Sequence, residues 1–66
     1  MSITVNGKNI SYMKDESVTE LLKRMRYTFP LIIVKINGKL VKKKDYKVTI
    51  IPDNADVKVV HLISGG

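Results

Sequence analysis

Cysteine and tryptophan are absent from this 66-residue chain, and it holds only one phenylalanine and two prolines. Without cysteine there are no disulfide staples, zinc–thiolate sites or thiol nucleophile, which suits a cytoplasmic protein. Aromatic residues make up 6%, too few for the stacking platforms of a single-strand binder, and this argues against a nucleic-acid partner. Long apolar runs are missing as well. The longest, Phe29 to Val34, falls far below the ~20 residues that cross a bilayer, and no signal-like stretch precedes Asn6-Gly7. The expectation is a soluble protein with no membrane partner. Acidic residues are scarce, six against twelve lysines and arginines, for a net charge of +6. The excess is densest at Lys42-Lys43-Lys44, flanked by Lys39 and Lys47. It reads either as a solvated face or as a surface that steers association with an acidic partner.

What is present is enough for one small folded domain. A hydrophobic content of 44% argues against intrinsic disorder. A chain this short still buries only about 60% of its unfolded surface, so the core must be compact.

Ile3-Thr4-Val5 alternates in polarity and meets Asn6-Gly7, after which Ile10-Ser11-Tyr12 alternates again. Asn-Gly supplies the positive-φ pair of a tight hairpin turn. Ser17-Val18-Thr19-Glu20 has the form of a capping box. Val18, Leu21, Leu22 and Met25 follow at helical spacing, predicting a helix from Ser17 to about Arg26. Leu31 to Ile36 is rich in β-branched residues and ends at a second hairpin signal, Asn37-Gly38. Lys39-Leu40-Val41 reads as the return strand, Lys47 to Ile51 as another strand, and Val57 to about Leu62 as the last.

One amphipathic helix covers one face of such a sheet. The first and last strands then sit side by side in the middle, with the helix in the long crossover that a parallel pair requires. The expected class is therefore α+β, a β-grasp with a mixed sheet of four to five strands. The predicted core is Ile3, Val5, Val18, Leu21, Leu22, Met25, Val34, Ile36, Val57 and Val59. Alternation in the last strand turns Lys58 and Val60 to the open face. His61, the single histidine, has no metal-like or catalytic spacing around it and reads as structural or surface. Asp15-Glu16 and Asp45 read as surface charge.

The last strand leads into Ser64-Gly65-Gly66. With no Cβ on its last two residues, such a tail can enter a narrow channel. Its α-carboxyl, with a reference pKa of about 3.5, is ionised at cellular pH. The expectation is a flexible tail over residues 63–66 on a single domain spanning 1–66.

These features together resemble the ubiquitin-like sulfur carrier proteins of the ThiS type. The resemblance rests on Asn6-Gly7, Ser17-Val18-Thr19-Glu20-Leu21-Leu22, Val34-Lys35-Ile36-Asn37-Gly38, Asp53-Asn54-Ala55-Asp56-Val57 and Ser64-Gly65-Gly66. The chain departs from the family pattern at Val41-Lys42-Lys43, in a longer Asp53–Asp56 turn and in its strong basicity. The resemblance implies that a ThiF-like adenylyltransferase uses ATP to adenylate Gly66. A sulfur-transfer protein then helps convert it to a thiocarboxylate, which donates sulfur to a ThiG-like thiazole synthase in thiamine biosynthesis. It implies no bound cofactor, no metal and no catalytic residue, with the protein a co-substrate rather than an enzyme. Gly65 and Ser64 would allow channel entry, and Val60, Leu62, Ile63 and Lys58 are candidates for partner docking. Competing readings are a MoaD-like small subunit of molybdopterin synthase, a ubiquitin-like protein modifier, and a basic TGS-like RNA-binding module.

Overall fold

In a computed structural model, which describes residues 1–27 and 31–61, the chain alternates short strands and turns around one helix. The strands are β1 (Ser2–Val5), β2 (Lys8–Ser11), β3 (Ile32–Ile36), β4 (Lys39–Val41) and β5 (Asp56–His61). The helix, α1, is Val18–Arg24, and a single 3-10 turn covers Lys43–Asp45. The sheet order is β2-β1-β5-β3-β4, with β1 and β5 parallel and every other pair antiparallel. This is the five-stranded β-grasp expected from the order of elements.

Both hairpins close through Asn-Gly turns with positive φ at each central residue. The values are 53° and 83° at Asn6 and Gly7, and 51° and 83° at Asn37 and Gly38. That geometry matches the twist of the flanking strands and fixes each register.

The helix begins as a complete capping box. Ser17 Oγ accepts from the Glu20 amide at 3.2 Å, and Glu20 Oε1 accepts from the Ser17 amide at 3.0 Å. The bond from the Ser17 backbone holds the Glu20 carboxyl below the usual carboxylate range. Its contribution is present above the unfolded pKa and is lost as pH falls through the lower folded one. At the other end, the Arg26 amide donates to Lys23 and the Tyr27 amide to Leu22, with Arg26 at φ 60°. This is a Schellman closure, and it stops α1 at Arg24 rather than Arg26.

The core joins Val18 and Leu21 of the helix to Ile3, Val5, Val34, Ile36, Val57 and Val59 of the sheet, all as expected. Leu22 and Met25 are corrected to its margin, where they pack half-buried. Three unanticipated residues complete it: Tyr46, Ile51 and Ala55. Burial raises the pKa of the Tyr46 phenol, whose hydroxyl donates to the Ile32 carbonyl at 3.2 Å.

The segment Lys47 to Ile51 is not a strand, despite its β-branched composition. It carries one isolated bridge, Ser17 to Ile50. The helix N-terminus supplies the reason. Its first amides have no partner within the helix, and here the Val18 amide donates to Thr49 O and the Thr19 amide to Tyr46 O. Asp45 O also accepts from both the Val48 and Thr49 amides, so the segment coils beneath the helix. Glu16 likewise departs from its reading as surface charge. It is buried, and Arg24 grips its carboxylate with two bonds of 2.9 and 2.8 Å while also donating to Ser11 O.

Two substitutions test this account by urea unfolding. Leu21→Ala, at a fully buried site, should cost about 2–5 kcal/mol, and Leu22→Ala clearly less. Arg26→Gly should instead stabilise by about 1 kcal/mol, since only the left-handed strain of a side-chain-bearing residue is removed.

Candidate functional site

The functional candidates gather on β5 and beyond it. Parallel pairing with β1 covers Thr4↔Asp56 and Val5↔Val57, while β3 pairs along Ile32↔His61 through Ile36↔Val57. The β3 side is thus laddered to the end of β5, whereas β1 turns away at Asn6-Gly7. The Asn6 side chain fills that gap.

Asn6 Oδ1 accepts from the Val59 amide at 2.8 Å, and Asn6 Nδ2 donates to Val59 O at 3.1 Å. The carbonyls of Ala55, Val57 and Val59 therefore accept in succession from the Thr4 amide, the Asn6 amide and the Asn6 side chain. A side-chain amide supplies the rung that β1 no longer can. The other turn acts at the opposite end of the strand. The Asn37 amide donates to Asp56 O, and Asn37 Oδ1 accepts from the Asp56 amide, both at 2.8 Å. From the sequence, each asparagine is only a turn former. The sequence hint was the choice of Asn before Gly, because an amide offers both donor and acceptor and a carboxylate does not.

Among the docking candidates, Val60 is 46% exposed and lies across from Ile33, and Lys58 lies across from Lys35. These residues share the sheet face opposite α1, as alternation required. Lys58 also sits 3.7 Å from Asp56, whose Oδ1 accepts from Thr4 Oγ1 at 3.0 Å. His61 ends the strand as an exposed residue. Leu62, Ile63, Ser64, Gly65 and Gly66 lie outside the described residues. Among the described residues no three His, Cys, Asp or Glu side chains group to hold a metal ion, and no helix is long and apolar enough to cross a membrane.

Comparison with known proteins places this geometry. The model of the ThiS family matches residues 3–66. The crystal structure of a thiamine biosynthesis protein (ThiS) from Geobacter metallireducens superposes with a TM-score of 0.82 at 29% identity, covering all of both chains. An NMR solution structure of a thiamine biosynthesis protein from the same organism gives 0.73 at 29% identity, covering all of this chain and 88% of the other. No curated protein sequence matches.

The clasp is tested by Asn6→Gly, which keeps the left-handed turn and deletes only the side-chain rung. It should cost about 1–3 kcal/mol, the worth of two hydrogen bonds. Amide exchange should accelerate at Val59 and Val60 more than at Ile3. Uniform acceleration would mean that Asn6 supports the whole sheet rather than this strand.

Proposed function

The chain belongs to the ThiS family, and from that premise we propose that it is a sulfur carrier whose reactive group is the Gly66 carboxylate. One observation carries the reading: the family match extends through Gly66. The clasped β5 supports it, since a rigid strand gives the residues that follow a fixed point of departure.

The chemistry proceeds in steps that other proteins catalyse. The Gly66 carboxylate attacks the α-phosphorus of ATP on a ThiF-like activating enzyme, releasing pyrophosphate and leaving an acyl adenylate. The terminal sulfur of a persulfide on a sulfur-transfer protein attacks the acyl carbon, and AMP departs. A second thiol then cleaves the resulting acyl disulfide, leaving a thiocarboxylate on Gly66 and a disulfide on the donor. The thiocarboxylate delivers its sulfur to a ThiG-like thiazole synthase. Throughout, this domain is a co-substrate and a recognition handle. Gly65 and Ser64 let the backbone enter the enzyme channel, where a Cβ at Gly65 would meet the walls. Val60, Lys58, Leu62 and Ile63 belong to the surface that the enzymes grip.

The test is ATP–pyrophosphate exchange with the cognate activating enzyme. Intact protein should support exchange, while deletion of Gly66 or Gly65→Trp should abolish it with the melting temperature nearly unchanged. Equal exchange from the deletion variant would remove the terminal carboxylate from the mechanism. Protein isolated after reaction should be heavier by the difference between one sulfur and one oxygen atom.

A further inference from the structure

We propose that the outer edge of β4 is a docking site for an extended acidic peptide segment of a partner protein. β4 lies at the margin of the sheet, with β3 on one side only. Ile36↔Lys39 closes the two-residue turn and Val34↔Val41 lies two residues further along. In an antiparallel ladder those two pairs exchange hydrogen bonds, and the intervening Lys35↔Leu40 pair does not. The Leu40 N–H and C=O therefore point away from the sheet. Among the described residues neither has a backbone partner outside the ladder, and the Leu40 side chain is 60% exposed.

Beside this edge runs a groove of about 630 Å³. Ile36, Val41 and Ile50 give it apolar walls, and Lys39, Lys42 and Lys44 line it as well. Among the described residues of the lining, Asp45 is the one carboxylate.

Three features select the occupant. An open N–H and C=O pair on an edge strand recruits an extended backbone, with alternate side chains entering pockets beside it. The apolar part of the groove accepts a valine- or leucine-sized side chain. The lysines demand carboxylates, and they repel a second copy of β4, which would bring the same lysines against these. Among the described residues that line the groove there is no aromatic ring for a base to stack upon, which disfavours single-stranded RNA. The site lies beyond β3, on the other side of β5 from the Asn6 clasp, and the proposal does not depend on the carrier reading. Pyrophosphate exchange can fail while this site binds, and the reverse.

The experiment follows amide shifts of the full 15N-labelled chain during titration with a short blocked peptide alternating glutamate with valine and leucine. Shifts should concentrate at Lys39–Val41 and Lys44–Ile50, exchange of the Leu40 amide should slow, and high salt should weaken binding. The triple variant Lys39→Glu, Lys42→Glu, Lys44→Glu changes exposed positions and should keep the sheet resonances of β1 and β5. It should bind about tenfold more weakly and should gain affinity for the peptide with lysine in place of glutamate. Leu40→Pro, which removes an amide the ladder does not use, should also weaken binding. The proposal is overturned by shifts centred on Val60 and Lys58, by undiminished binding to the triple variant, or by no shifts at millimolar peptide. Tighter binding to oligouridine or to phosphatidylserine vesicles than to the acidic peptide would overturn it too.

Discussion

The structure depends on how β5 is held. It is the central strand, parallel to β1 on one side and antiparallel to β3 on the other. Parallel pairing needs a long crossover, and β2, α1, β3 and β4 all lie within that span of chain. Val57 and Val59 of β5 lie in the core with Val18 and Leu21 of the helix. Asn37 holds the start of the strand and Asn6 its later half. Loss of β5 would therefore separate both hairpins and uncover the helix together.

Unsatisfied backbone groups shape the remainder. The first amides of α1 need acceptors, and Tyr46 and Thr49 provide them. That demand pulls the chain after the 3-10 turn under the helix and seats Tyr46 and Ile51 in the core. Meeting it removes the segment from the sheet, so β4 is left as an edge strand beside a groove. Lysines along an edge have a protective effect, because like charge discourages pairing between copies. The same charge makes the edge receptive to the opposite sign, so protection and partner choice follow from one composition.

The proposed carrier chemistry requires little of the domain beyond a reactive terminus and a rigid body to present it. The energetics fit that division. Buried apolar contacts and the two asparagine clasps stabilise the body, while the face opposite the helix keeps Val60 exposed and Lys58 in solvent-accessible contact with Asp56. An ion pair so exposed contributes little to stability, which leaves that face open to change for recognition without loss of the fold.

Local codes determined much of this protein. The Asn-Gly pairs set two hairpins, Ser17 and Glu20 set the start of the helix, and alternation in β5 set which valines are buried. Each is decided by residues within a few positions of one another, so the sequence displays it directly. The ordered set of these features, with the glycines at 65 and 66, also carried the family. Tertiary structure alone decided where backbone groups found distant partners. Lys47–Ile51 has strand composition, yet the amide of Val18, at the start of a helix far earlier in the chain, took the Thr49 carbonyl. Glu16 looks like surface charge until Arg24, eight residues on, folds back upon it. Asn6 reads as a turn residue until Val59 arrives beside it. A side chain's sequence neighbours reveal its conformational preference, but its hydrogen-bond partner is fixed only when the chain closes on itself.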